Sequence, residues 1–290
     1  MAIPSTYTVH GTAGLTRVLR RVGRIPGNAL EMLGHQITFC FKVLVAIPHT
    51  VRSYQRQMLL ILSDITWGNG KLIVGGGTVS VLVVLGVAVG ASVGIEGFNT
   101  LGMVGMEPLT GFVSAYASTR ELAPMIAAIG FATQAGCRMT AEIGAMRISE
   151  EIDALEAQGI QSIPFVVTTR VVAGVVTIVP LYLLTLILSY VSCAVVVRIV
   201  GGQSSGTYDH YFSAFLQPVD VLYSLFKAAV FVVTVIIIHG YQGYYATGGP
   251  EGVGRASGRA VRASLVAVVV LDTVMTLVLW GFDSGIRISG

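Results

Sequence analysis

The strongest constraint on this fold is the stretch 72–95, which contains no charged residue. An α-helix rises about 1.5 Å per residue, so a segment of this length can cross the roughly 30 Å hydrocarbon core of a bilayer. Four later stretches have a similar apolar character, at 111–144, 163–197, 219–245 and 260–282. We therefore predict an all-α integral membrane protein with five transmembrane helices.

The composition supports this class. Of the 290 residues, 53% are hydrophobic and 11% are charged, whereas soluble domains contain about 25% charged residues. A net charge of +3 is too small to indicate nucleic-acid binding. Cys40, Cys137 and Cys193 lie far apart, so the sequence predicts neither a disulfide framework nor a metal site. No short apolar region follows the start, and we expect no cleavable signal peptide.

The distribution of Lys and Arg predicts the orientation in the membrane. The segment up to Lys71 holds eight of the 18 basic residues, and the 245–260 connection adds further arginines. Cytoplasmic segments are enriched in Lys and Arg, so we predict a multi-pass protein of the inner or plasma membrane with a cytoplasmic N-terminus and an extracytoplasmic C-terminus.

The chain divides into a region 1–70 and a transmembrane region 71–290. In the first region, apolar residues recur at helical spacing between Val51 and Leu62, while Arg52 and Arg56 face elsewhere. This pattern predicts an amphipathic helix lying in the membrane interface. In the second region, Gly86, Gly90 and Gly94 form a stripe that would let another helix approach closely, although glycine is also simply common in such helices.

An acidic stretch, 149–158, stands out in this apolar chain. Ser149 is a suitable N-cap and Gly159 is placed to end a helix in a left-handed conformation, so we predict a helix of about ten residues. At about 15 Å it is too short to cross a bilayer. The spacing predicts an apolar ridge formed by Ile148, Ile152 and Leu155. The acidic residues that flank or oppose this ridge are Glu150, Glu151, Asp153 and Glu156.

This short helix should face protein, because anionic lipid headgroups repel a negatively charged surface. Two roles fit its spacing. Ile152 and Leu155 could dock in an apolar groove of a partner whose basic rim meets the carboxylates. Alternatively, the ridge packs on this chain's own helices and the acidic residues stay solvated.

The chain resembles the MlaE/YrbE family of ABC-transporter permeases in two segments, ELAPMIAAIGFATQAGCRMTAEIGAMRISEEIDALEAQGI and GGPEGVGRASGRAVRASLVAVVVLD. The resemblance extends over about 73–280. MRISEEIDALE and GQSSGTYDHYF further resemble the Mce-operon permeases of actinobacteria, of the B type. In this family the segment matching 148–159 is a coupling helix that docks into an ATPase. The resemblance therefore assigns ATPase coupling to Ser149, Glu150, Glu151, Ile152, Asp153, Leu155 and Glu156.

The family resemblance implies a non-catalytic permease subunit of an ATP-driven lipid transporter. Such a subunit binds no cofactor, and ATP and Mg would be used by a separate cytoplasmic ABC ATPase. The other implied partners are a second YrbE-type permease subunit and extracytoplasmic Mce-domain proteins. The pair of permeases would form the path for a lipid, fatty acid or sterol. Consistent with this, the sequence contains no G-x-x-x-x-G-K-[ST] phosphate-binding motif.

Two other classes of function fit the sequence less well. A membrane enzyme is disfavoured because there is no H-E-x-x-H motif and the five histidines are scattered. A secondary transporter or channel would use ionisable groups within the membrane, and the candidates are Arg120, Glu121, Lys227 and Asp272. An unpaired charge at the bilayer centre costs about 2.5–3.5 kcal/mol on insertion scales.

These four residues are therefore predicted to be paired inside the bundle or to line a polar pocket that forms part of the substrate path. Lys227 and Asp272 are predicted partners across the fourth and fifth helices. For Arg120 and Glu121 the alternative is a position near the interface, from which they reach the headgroups.

Overall fold

The computed structural model describes residues 31–68 and 77–281. Within these ranges the protein is helical and contains no β-strand, so the prediction of an all-α membrane protein is confirmed. The chain forms two compact units that divide between Val45 and Ala46. In the first unit, helix α1 spans 31–45. The predicted boundary near residue 70 borders residues outside the described part and stays a prediction.

The second unit consists of helices connected by short turns. Their bounds are α2 Ile47–Ser53, α3 Gln55–Trp67, α4 Gly77–Gly102, α5 110–148, α6 Glu151–Ala157, α7 Pro164–Ile199, α8 Ser205–Phe215, α9 Pro218–Tyr244 and α10 Gly249–Trp280. Helix α5 is one continuous run made of Thr110–Val113, Ser114–Leu122, Ala123–Phe131, Ala132–Gly136 and Cys137–Ile148, of which the second and fourth pieces are π-helical.

Four helices, α4, α7, α9 and α10, are long and apolar enough to cross a membrane. They correspond to the first, third, fourth and fifth predicted spans. The predicted second span lies in α5, which is not in this set. Its π-helical piece Ser114–Leu122 carries several polar side chains, including Arg120 and Glu121. The count of five crossings therefore stays a prediction.

The ends of several helices differ from those predicted. Helix α4 continues past Ile95 to Gly102, and α10 begins at Gly249, well before residue 260. Apolar composition marks where a helix enters lipid, and helical hydrogen bonding can continue beyond that point. The predicted start of the first span at residue 72 lies outside the described residues. The predicted interfacial helix at 51–62 is divided at Tyr54, whose φ of −121° and ψ of 33° interrupt the helical backbone.

The glycine stripe of α4 packs against α7, as predicted. A Cβ atom on Gly90 would lie 2.1 Å from the carbonyl oxygen of Ser189, and one on Gly86 would lie 2.8 Å from that of Thr185. Side chains at these positions would force the helices apart. Close backbone approach is the main means of helix association in lipid, where burial of apolar surface gives little driving force.

Candidate functional site

A buried charged network joins α5, α9 and α10. It contains all four ionisable residues predicted to lie within the membrane, together with Asp220. The α5 contribution comes from the π-helical piece Ser114–Leu122. Such wide turns are rare and occur frequently at functional sites. We therefore treat this network as the first candidate site.

Lys227 is the centre of the network, and its side chain is completely buried. Its Nζ atom lies 2.8 Å from Oδ1 of Asp272 and 3.0 Å from Oε2 of Glu121. The same ammonium donates to the Thr276 hydroxyl at 2.7 Å and to the backbone carbonyl of Arg120 at 2.9 Å. The predicted pairing of Lys227 with Asp272 across α9 and α10 is confirmed.

Arg120 forms the second half of the network with Asp220. Its Nε and Nη2 atoms donate to Oδ2 of Asp220 at 3.1 and 2.9 Å. The indole of Trp280 donates to the other carboxylate oxygen at 2.7 Å, and the guanidinium lies 4.2 Å from the ring centroid of Tyr116. The Arg120 side chain is only 9% exposed, so it is buried within the chain, and the alternative of a position near the membrane interface stays a prediction.

Sequence reasoning missed Asp220. It lies in the first turn of α9, two residues after Pro218, where an acidic residue is normally interpreted as favourable to the helix dipole. Its burial, with a side chain 10% exposed, is what distinguishes it. An acidic residue just inside an apolar span was the only available signal.

The network carries unequal charge. Two cations, Arg120 and Lys227, face three carboxylates, those of Glu121, Asp220 and Asp272. Removing charges from water is costly, and pairing with additional hydrogen bonds offsets that cost. The network therefore links three helices through paired charges, and one excess negative charge remains when every group is ionised. The Glu121 side chain is 36% exposed, so this part of the network is accessible from outside the chain.

The second candidate site is the acidic helix α6, Glu151–Ala157, which has seven residues where about ten were predicted. Its N-cap is Glu150, in a left-handed conformation with φ of 61°, and the predicted N-cap Ser149 is wrong. The Ser149 hydroxyl instead donates to the backbone carbonyl of Ala145 at 3.0 Å, at the end of α5. Gly159 has a φ of 77°, as the predicted left-handed ending requires.

The apolar ridge of α6 divides between two environments. Ile152 is completely buried, and α6 packs against the last piece of α5, Cys137–Ile148. The expectation that Ile152 docks in a partner's groove is therefore wrong, because this side chain already anchors α6 to its own chain. Leu155 is half-buried and Ile148 is 40% exposed. These two residues remain available for contact with another protein.

The acidic residues of this segment differ in their hydrogen-bond partners. Asp153 accepts from Nη1 of Arg147 at 2.6 Å, and Glu151 accepts from the Ser149 hydroxyl at 2.9 Å. Glu156 accepts from the buried hydroxyl of Ser162 and from Tyr244 at the end of α9. The Glu150 side chain is exposed and has no hydrogen bond or ion pair within the described part of the chain.

Among the described residues we find neither a metal-binding cluster nor the backbone turn that a catalytic serine of the G-x-S-x-G type requires. His239 is buried, with Nδ1 2.7 Å from the Thr140 hydroxyl, and no group of His, Cys, Asp and Glu in those ranges could hold a metal ion. The sequence contains two G-x-S-x-G matches, at 90–94 and 202–206. The first is inside α4, and the second runs into the start of α8 with Ser204 as the N-cap, whereas a serine nucleophile of this motif needs a turn from strand to helix.

The fold and these sites define a multi-pass α-helical membrane protein with a buried charged network and a short acidic helix outside its spanning segments. Residues 70–278 match the family model described as Permease MlaE. The match covers more than half of the chain, and the protein belongs to this permease family.

Curated relatives agree with this assignment. A probable ABC transporter permease protein from Rickettsia bellii is 31% identical over 196 residues, 64% of this chain and 72% of that protein. The intermembrane phospholipid transport system permease protein MlaE from Haemophilus influenzae is 30% identical over 211 residues, 71% and 80% of the two chains. The chloroplastic protein TRIGALACTOSYLDIACYLGLYCEROL 1 from Arabidopsis thaliana is 31% identical over 188 residues, 65% and 54% of the two chains.

Proposed function

We propose that this chain is the membrane-spanning permease subunit of an ATP-driven lipid transporter. The observation that carries the proposal is the family match over 70–278. It is supported by the names of the relatives, one of which is the permease of an intermembrane phospholipid transport system and another a probable ABC transporter permease. The substrate would be a lipid, fatty acid or sterol, and the extracytoplasmic partners would be Mce-domain proteins.

A second permease subunit of the YrbE type would complete the path. Four candidate spans are few helices with which to enclose a lipid. The charged network would lie beside that path, where the partly exposed carboxylate of Glu121 can meet a polar headgroup while apolar side chains elsewhere along the path contact the acyl chains. In this arrangement Arg120, Lys227 and Asp272 hold Glu121 and its helix in place.

Coupling to ATP hydrolysis would use the segment 148–159. The ATPase supplies the site for ATP and Mg, and this chain supplies α6 with its exposed acidic side chains. Leu155 would enter an apolar groove of the ATPase, and Glu150, Glu151 and Asp153 would meet basic residues around it. Ile152 would act indirectly, by fixing α6 to the end of α5. This arrangement requires a cytoplasmic N-terminus and an extracytoplasmic C-terminus if the chain crosses the membrane five times.

A secondary transporter or channel is the second candidate function. The observation that favours it is the unequal charge of the buried network, since intramembrane carboxylates often carry protons or ions in such proteins. The two functions differ in their source of energy, and this difference can be measured.

The purified single chain should show no ATP hydrolysis above background, whereas the complex containing its ATPase should hydrolyse ATP. The reason is that a phosphate-binding motif is missing from the sequence. Phosphate release would be measured with both preparations at matched permease concentration. Hydrolysis by the single chain that persists after removal of contaminating ATPases would contradict the proposal.

A further inference from the structure

Three side chains, those of Glu156, Ser162 and Tyr244, form a polar bridge between the acidic helix α6 and the last turn of α9. Oγ of Ser162 donates to Oε1 of Glu156 and lies 2.7 Å from the hydroxyl oxygen of Tyr244. The Tyr244 hydroxyl also lies 3.2 Å from the same carboxylate oxygen. Each hydroxyl has one proton to donate, so the hydrogen bonds that satisfy all three groups run from Tyr244 to Ser162 and end on Glu156.

The polar bridge combines an exposed acceptor with two buried hydroxyls. Glu156 is exposed, whereas Ser162 is 4% exposed and Tyr244 is 8% exposed. A buried hydroxyl that loses its partner becomes an unpaired polar group, which costs free energy. Oε1 of Glu156 is therefore committed to its own chain, in contrast to the carboxylate of Glu150.

The polar bridge is a direct link between two helices that are not neighbours in the chain. Glu156 and Tyr244 are 88 residues apart, and α6 otherwise packs mainly against the last piece of α5. Chain connectivity alone would tie α6 to α5 and α7. The hydrogen bonds to Tyr244 therefore give movement of α6 a separate route to α9.

Helix α9 extends from the polar bridge to the buried charged network. It runs from Pro218 to Tyr244 as a regular α-helix, whereas α5 and α7 both contain π-helical pieces. From Lys227 to Tyr244 the helix rises about 25 Å. Coupling over such distances is carried by rigid secondary-structure elements, so displacement of Tyr244 would reach the network around Lys227 and Asp220.

We propose that Glu156, Ser162 and Tyr244 are positioning residues that transmit movement of α6 to α9 during transport. This role rests on the proposed function, because it takes α6 as the segment that an ATPase moves. Coupling between two sites requires an element whose position both sites influence, and α9 is that element. Glu156 then anchors α6 internally, and Leu155 and the other acidic residues of the segment remain for the ATPase.

A contact with the basic rim of the ATPase is the alternative role for Glu156. Such a contact depends on negative charge, whereas the polar bridge needs only an oxygen that accepts from hydroxyls, which glutamine also supplies. Oε2 of Glu156 makes no hydrogen bond or ion pair with the described residues. The amide nitrogen of a glutamine could therefore take the place of Oε2, and Glu156→Gln separates the two roles.

The test measures phospholipid transferred per ATP hydrolysed by the reconstituted complex of this chain with its ATPase and second permease subunit. Tyr244→Phe removes the hydroxyl and keeps the ring. We expect this variant to retain the ATPase and its hydrolysis but to transfer at least about fivefold less phospholipid per ATP, the lower end of coupling between sites. The matched control is Tyr245→Phe, whose ratio should be unchanged, because the Tyr245 hydroxyl makes no hydrogen bond to Glu156 or Ser162.

Variants of Glu156 test the polar bridge at an exposed residue, where a substitution leaves the core intact. Glu156→Ala should lower the ratio as Tyr244→Phe does, and Glu156→Gln should retain most of it. Thermal unfolding is measured for every variant. If Tyr244→Phe proves unstable, the comparison of Glu156→Ala with Glu156→Gln decides alone.

Three outcomes would overturn the polar bridge as a transmitting element. The wild-type ratio in both Tyr244→Phe and Glu156→Ala would do so and would leave the proposed function intact, provided that transfer still requires ATP. This includes an equal loss of hydrolysis and transfer, which would reduce the three residues to a structural role. Weaker binding of the ATPase by Glu156→Ala and Glu156→Gln alike, with the wild-type ratio in Tyr244→Phe, would assign Glu156 to the ATPase rim. Absence of ATP-dependent transfer by the wild-type complex would overturn the proposed function and the polar bridge together.

Discussion

Replacing Lys227 by Met should lower the free energy of unfolding of this protein by about 3–5 kcal/mol. The change removes the cation that contacts Glu121 and Asp272 at 3.0 and 2.8 Å and leaves their carboxylates without compensation. Breaking a buried ion pair by deleting one partner has a cost of this size. The measurement is thermal unfolding of the purified chain in nanodiscs.

Two further variants test whether the loss of stability comes from the uncompensated carboxylates. Adding Asp272→Asn to Lys227→Met removes one of the uncompensated carboxylates and should recover part of the lost stability, giving a favourable interaction energy in the double-mutant cycle. Lys42→Met, at an exposed lysine of α1, should change stability by no more than about 0.5 kcal/mol. If Lys227→Met unfolds at the wild-type temperature, the network does not hold α5, α9 and α10 together.

Replacing Leu155 by Asp should abolish co-purification of the ATPase without lowering the stability of the permease. Leu155 is half-buried in this chain, so an aspartate there remains solvated until the ATPase covers it. Docking would then bury an unpaired charge in an apolar groove, at a cost of several kcal/mol. The measurement combines pull-down of the ATPase through a tag on this chain with thermal unfolding of the permease alone.

Ile152→Asp is the matched variant on the same helix, three residues away. Because Ile152 is completely buried, this change should destabilise the permease itself, whether or not the ATPase is present. Glu150→Gln should weaken docking by about 1 kcal/mol or less, since an exposed ion pair contributes little. A Leu155→Asp permease that retains the ATPase at wild-type stoichiometry would exclude Leu155 as an anchor of the coupling helix.

The membrane-spanning helices could be predicted from the sequence because a lipid bilayer permits few kinds of backbone structure. Backbone groups in lipid must be satisfied within the segment, so a long apolar run can only be a helix. The cost of an unpaired charge in lipid predicted that Lys227 and Asp272 would be paired or line a polar pocket, and their opposite charges on neighbouring spans predicted that they pair with each other. The glycine stripe of α4 was predicted to permit close approach, and the structure identifies its partner as α7.

The features that could not be predicted from the sequence are those that depend on contacts between helices. The charge of Asp220 gave no sign that it pairs with Arg120, 100 residues earlier in the chain. The N-cap at Ser149 was wrong because the preceding helix α5 extends to Ile148 and uses the Ser149 hydroxyl at its own end. Ile152 and Leu155 share a ridge on the helical wheel, and the sequence alone does not show that α5 buries Ile152 completely and Leu155 only in part.

We propose that this permease moves lipid at the expense of ATP. The most direct test of this proposal reconstitutes the complex of this chain with its ATPase and second permease subunit in liposomes and follows the transfer of a fluorescent phospholipid to acceptor protein. We expect transfer to require hydrolysable ATP, to stop with a non-hydrolysable analogue, and to persist after proton and sodium gradients are collapsed. Transfer driven by such a gradient in the absence of ATP would contradict the account and would favour a secondary transporter that uses Glu121, Lys227 and Asp272.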